Sequence, residues 1–173
     1  MNIYLHVEIS VRELDSKLLL ATLAAAKGHE VLVSDIEVIE KGLSRGWLPP
    51  GIFHTKSLTF TNSKYNRHKA LISSGTKITS IDEEAVNYHF YQQLSKERYS
   101  IETIEQSDAI FGWGDEDFST LKNDYQNYSN KFYKTGSPRA DLWKPIFSEY
   151  WNNTNLEFDK PYLLVSSNMV TGS

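Results

Sequence analysis

Short apolar runs alternate with helix-patterned stretches about six times along the chain, and this alternation most limits the folds open to it. The opening is the clearest case. Ile3 to Ile9 reads as a strand, Ser10 to Leu14 as a charged loop, Asp15 as a helix N-cap, and Lys17 to Lys27 as a Leu- and Ala-rich helix. Apolar residues nearly surround that helix, which predicts good cover. Gly28 stands where a left-handed stop belongs, and Glu30 to Ser34 follows as a short buried strand. Parallel strands need a crossover of this length, so the opening is a βαβ unit.

The same rhythm continues. Strands are predicted over Ile52–Lys56, Lys77–Ile81, Ala109–Gly114 and Lys131–Thr135. Helices are predicted over Ile36–Leu43, Asn66–Ser74, from Glu83 to about Lys96, over Ser100–Ser107, from Phe118 to about Tyr125, and from Ser137-Pro138 through Trp151. The fold class that follows is α/β and Rossmann-like, a mostly parallel sheet with helices on both faces. Residues 1–152 make one such domain. Residues 153–173 read as a polar linker followed by an apolar strand, Pro161 to Ser167, the expected start of a truncated second domain.

Composition removes several function classes. The chain has no cysteine, which excludes disulfides, thiolate metal sites and cysteine nucleophiles. No two of its five histidines stand four apart on one helix, so no metal is expected. The net charge of -4 carries no basic block, so nucleic acid is not expected as a partner. The turn after the first strand lacks the G-x-G-x-x-G pattern, which argues against a nicotinamide cofactor, and no cofactor is expected. The amino terminus enters a strand directly, and the apolar stretch at Leu18–Ala26 is too short to span a bilayer, so the cytoplasm is the expected location.

Ligands of open α/β sheets bind beyond the carboxyl ends of the strands. Four polar groups follow strands here: Glu8, Arg12 and Glu13; His54 and Lys56; Asp82, Glu83 and Glu84; and Asp115. The acidic corner suits a general base for a sugar hydroxyl. It equally suits a capping box, Ser80-x-x-Glu83, with acids complementing the helix dipole. Arg12 and Glu13 could pair with each other, His54 could be a core histidine, and Asp115 could serve the dipole of its helix. At Gly136-Ser137-Pro138-Arg139, Ser137 reads as an N-cap. Arg139 is either a fork for an anion or a stitch holding the turn to the sheet.

Taken together, Val11 to Ala21, Leu48-Pro49-Pro50-Gly51-Ile52-Phe53-His54-Thr55-Lys56, Ser80 to Glu84, Trp113-Gly114 and Thr135 to Trp143 resemble the bacterial surface carbohydrate biosynthesis proteins. That family resembles two-domain GT-B glycosyltransferases of capsule and lipopolysaccharide assembly. The Gly-x-Pro-Arg-x-Asp element is also similar to one in polyglycerol-phosphate and Kdo transferases. The resemblance implies a metal-independent, inverting transfer from a nucleotide-activated donor, such as a CMP-linked acidic sugar, to a glycan acceptor. It implies that Glu83, Asp82 or Glu84 is the base, with Glu83 first. Glu8, Arg12, Glu13, His54, Lys56, Asp115, Ser137 and Arg139 would contact substrate. The family is more than twice as long, so this chain is expected to be an acceptor-side part, inactive alone, with the donor bound mainly by a missing second domain. Peripheral attachment to the inner membrane fits a lipid-linked acceptor. The rival expectation is a non-catalytic Rossmann-like domain that binds a sugar or a protein.

Overall fold

The computed structural model of the protein describes residues 1–85 and 91–151. Six strands form one all-parallel sheet in the order β2-β1-β3-β4-β5-β6. They are β1 (Asn2–His6), β2 (Glu30–Ser34), β3 (Ile52–Thr55), β4 (Lys77–Ile81), β5 (Ala109–Gly112) and β6 (Phe132–Lys134). The helices of this unit are α1 (Ser10–Ala26), α2 (Ile36–Ser44), α3 (Asn62–Ser73), α4 (Tyr91–Arg98), α5 (Ile101–Glu105), α6 (Asp115–Asp124) and α7 (Pro138–Asp141), with a 3-10 segment at Gln126–Lys131. The fold is Rossmann-like, as the alternation predicts. Met1–Leu142 forms this compact unit. In a second unit, from Trp143, the described residues are a 3-10 turn, Pro145–Phe147, and a one-turn helix α8, Ser148–Trp151.

Period-two alternation sorts the strand residues onto two faces. Tyr4, Phe53 and Ile78 pack with Ile39 and Leu43 of α2 and Leu71 of α3. Further along the same face, Ile110 and Phe132 pack with Leu94, Ile104 and Leu121 of α4, α5 and α6. Each such large side chain, buried from water, stabilises by about 2 kcal/mol, so this double cluster holds the sheet. The other face presents Leu5, His54, Ile81 and Phe111. Leu20 of α1 and Pro138 of α7 border it, leaving an apolar groove of about 390 Å³.

Several boundaries differ from expectation for identifiable reasons. The charged segment after β1 is not a loop: α1 starts at Ser10, and Asp15 lies inside it rather than capping it. Helix α1 also turns polar groups inward. Glu13, Ser16 and Lys17 are buried, while Leu14, Leu18 and Leu23 remain 36%, 44% and 55% exposed. Helix α3 begins a turn early because the Thr61 hydroxyl accepts the Lys64 amide. At the acidic corner no capping box forms. Ser80 belongs to β4 and its hydroxyl has no partner, whereas Asp82 Oδ1 accepts the Glu84 amide at 2.9 Å and turns the chain. The expected helix from Ser137 to Trp151 stops at Asp141, and Lys144 is extended before Pro145, the conformation proline imposes on its predecessor. The linker and strand expected at 153–173 lie outside the described residues. No described helix is long and apolar enough to cross a membrane.

Candidate functional site

The parallel sheet delivers the residues that follow β1, β3, β4 and β5 to one edge. Beyond β1, the turn at Glu8 leads into α1, whose first turn carries Arg12 and Glu13. Lys56 follows β3, the acidic corner follows β4, and Trp113 follows β5.

The inner layer of this edge is an ion network. Lys17 Nζ meets Glu83 Oε1 at 2.7 Å, and both side chains are buried. Glu13, also buried, accepts the Glu8 amide at 2.8 Å and faces Arg12 at 3.1 Å and Lys56 at 3.3 Å. Burial acts to raise the Glu13 pKa, but the Glu8 amide, Arg12 and Lys56 outweigh it and leave it below the ordinary 4.5. Asp82 takes a bidentate fork from Arg98, at 2.9 and 3.0 Å. Burial nevertheless dominates and raises the Asp82 pKa. The Asp82 carbonyl accepts the Trp113 indole N–H at 2.8 Å. The Glu83 amide donates to the Lys56 carbonyl at 3.1 Å, and the Glu83 carbonyl accepts from Arg139 at 3.3 Å. The corner is therefore pinned on every side.

The outer layer faces water. Glu84 sits between Arg12, at 3.3 Å, and Arg98, at 2.9 Å, with its side chain 30% exposed. Glu8 pairs with Lys56 at 2.6 Å and is more exposed still. That hydrogen bond, more than any other influence, lowers the Glu8 pKa. A partly exposed carboxylate held by two guanidinium groups can accept a hydrogen bond from a hydroxyl, and the guanidinium groups can hold an anion.

The structure thus brings together Glu8, Arg12, Glu13, Lys56, Asp82, Glu83, Glu84 and Arg139. It does not bring the others there. His54 lies within β3, one residue before its end, and points to the groove face, where its Nδ1 meets Thr79 Oγ1 at 2.9 Å. The period-two alternation that sends Thr55 one way sends His54 the other. Asp115 is on the surface, paired with Lys134 at 2.6 Å. It is Asp117, two residues on, that takes the Trp113 and Gly114 amides at the start of α6. Ser137 stands at the N-cap position of α7 but is buried and its hydroxyl caps nothing. Arg139 donates to the Glu83 carbonyl at 3.3 Å, a contact of the kind its stitching reading expects.

Two central residues were not among the candidates, Lys17 and Arg98. A signal for Lys17 existed: Glu13, Ser16 and Lys17 form a polar stripe at i, i+3, i+4 inside a helix otherwise rich in Leu and Ala. Arg98 had no local signal, since it pairs across 16 residues. Among the described residues, no group of three or more His, Asp or Glu is placed to hold a metal ion. No family model, curated protein or solved structure matches the chain.

Proposed function

We propose that the chain is the acceptor-side domain of a GT-B-type glycosyltransferase of bacterial surface polysaccharide assembly. In this reading it is metal-independent and inverting, and a nucleotide-activated sugar is transferred to a glycan hydroxyl held at the carboxyl edge of the sheet. One observation carries the reading: Arg12, Lys56, Arg98 and the acidic corner converge on that edge, with Glu84 open to water between two arginines. The geometry favours Glu84 over Glu83 as base, because a base must reach the hydroxyl it deprotonates, and Glu83 is spent on Lys17. In this reading Arg12, paired with Glu13 and Glu84 but partly exposed, exchanges part of that pairing for a carboxylate or phosphate on the acceptor or donor, as an acidic sugar would offer.

The test has two parts. Glycan fragments of surface polysaccharides are screened for binding to the chain by saturation-transfer NMR, with Arg12→Ala as the comparison. Transfer from a panel of activated sugars is then followed, in the presence of a donor-binding domain, for wild type and Glu84→Gln. The reading expects glycan binding weakened by Arg12→Ala, and a kcat loss of roughly 10²–10⁴ for Glu84→Gln. Wild-type transfer by Glu84→Gln removes the base assignment, and no glycan binding at all removes the function. A second reading, a glycan-binding module without catalysis, is favoured by the burial of both Asp82 and Glu83 in ion pairs. Binding without transfer from any donor would select it.

A further inference from the structure

The strand order reverses direction at β1. The chain passes from β1 to β2 on one side, then returns through α2 to β3 on the other. Such a switch point opens a crevice between the carboxyl ends of the two strands. Here that crevice is a cavity of about 60 Å³ beneath α3, lined by His6, Glu8, Lys56, Lys64, Arg67 and His68 among others. Its size suits a few waters or one small oxyanion.

Two features of its wall have no explanation within the fold. His6 and His68 are 7% and 1% exposed, and the Nδ1 atom of each is buried without a hydrogen-bond partner. Phe53 stands beside both rings, with centroids 6.1 Å from His6 and 6.2 Å from His68, and supplies no polar group. A buried ring nitrogen left unpaired is costly, and native proteins rarely keep two together. The second feature is Lys64. Its ammonium donates to Ser57 Oγ at 2.9 Å and to the Ser57 carbonyl at 3.3 Å, and among the described residues it has no carboxylate within ion-pair distance. An ammonium has three donors, so one remains. Burial, then the nearby Arg98, lowers its pKa to about 8, with Asp82 and Glu8 acting the other way from beyond ion-pair distance.

We infer that this cavity binds a small oxyanion, a phosphate or a carboxylate group, held by the Lys64 ammonium and by the Nδ1–H groups of His6 and His68. The charges decide between ligand classes. Lys56, Lys64 and Arg67 line the cavity against one acid, Glu8, which Lys56 already holds at 2.6 Å. Arg67 is held in turn by Glu40 at 2.5 Å. With Lys56 and Arg67 paired, the Lys64 charge is left over in the lining, which favours an anion over a metal ion, although Glu13 near His6 and Asp82 near Lys64 reduce it. Burial keeps both imidazoles neutral at pH 7, their pKa values lowered to about 4, so each can give an N–H without adding charge. The inference does not depend on the transferase reading: Glu8 and Lys56 border both the cavity and the rim, but the groups that hold the anion, Lys64, His6 and His68, are outside the rim network.

The experiment is a titration of the full 173-residue chain at pH 7 with inorganic phosphate, and separately with acetate, using sodium chloride at matched ionic strength as the reference. Histidine ring ¹⁵N shifts and the thermal midpoint are read together. Saturable shifts of the His6 and His68 signals, with a rising midpoint, are expected for at least one of the two anions, and which one responds separates a phosphate group from a carboxylate. Lys64→Gln is expected to weaken that binding at least tenfold, while Lys64→Arg stays within a few-fold of wild type. No histidine shift with either anion, an equal response to chloride, or unchanged binding in a folded Lys64→Gln protein would overturn the assignment. The wild-type titration decides even where a variant fails to fold.

Discussion

At the scale of single residues, the protein is unusual for burying charge in place of apolar side chains. Lys17 and Glu83 are the plainest case: removing one partner strands the other in a medium that solvates it poorly. Lys17→Met is therefore expected to cost about 3–5 kcal/mol in urea unfolding, and the double variant Lys17→Met/Glu83→Leu to recover much of it. Equal stability of the two variants would show that the ions do not act on each other. The histidines give a second prediction. Burial holds His6 and His68 at about 4, against 6.5 for a free imidazole. Above pH 6.5 both the folded and unfolded chains carry them neutral. As pH falls from 6.5 toward 4, only the unfolded chain takes up the protons, so stability drops through that window, by at most on the order of 3 kcal/mol per histidine. Glu8 and Glu13, held below 4.5, lose their contribution only at lower pH. Urea midpoints at pH 7.5 and 4.5 should differ widely in wild type and less in His68→Gln; identical midpoints in wild type contradict the burial of neutral imidazole.

At the scale of elements, the strands were largely legible. Lys77–Ile81 and Glu30–Ser34 keep their expected bounds, because branched residues between turn signals mark a strand. Only the first is buried: Glu30–Ser34 was expected to be buried and is instead a half-exposed edge strand, since burial depends on which strands lie beside it. Helix starts were less so. Thr61 capping α3 was readable in principle, whereas the start of α1 was not: its N-cap is Ile9, which offers no side-chain hydrogen bond. The junction before β3 depends on close approach instead of capping. A Cβ added at Gly51 would lie 2.9 Å from the carbonyl carbon of Asn2, and backbone cannot step aside as a side chain can. The Tyr4 hydroxyl, donating to the Pro49 carbonyl, ties the same turn to β1. Gly51→Ala should therefore destabilise by roughly 1–3 kcal/mol, the range for forced overpacking. A change below a few tenths of a kcal/mol in denaturant unfolding would show that the Gly51–Asn2 approach between β1 and β3 is not close.

At the scale of the whole molecule, β1, β3, β4 and β5 have neighbours on both sides, and β2 and β6 are edges. Hydrogen exchange should follow that order, with amides of β1, β3 and β4 the slowest and β6, only three residues long, among the first strands to open. Fast exchange throughout β3 and β4 would contradict the arrangement. The amino-acid sequence alone determined the class of fold, since strand and helix periods are local properties of the backbone and βαβ order leaves little beyond a parallel sheet. It also marked most of the rim residues, because polar groups just after apolar strands must fall at one edge. Tertiary structure decided what those residues do. Lys17 reaches Glu83 across 66 positions, and Arg98 rather than solvent meets Asp82. Strand order alone set the crevice between β1 and β3, and with it the burial of His6 beside a helix that follows β3. Ion pairing and burial between distant segments depend on which strands become neighbours, and no local pattern in a chain carries that information.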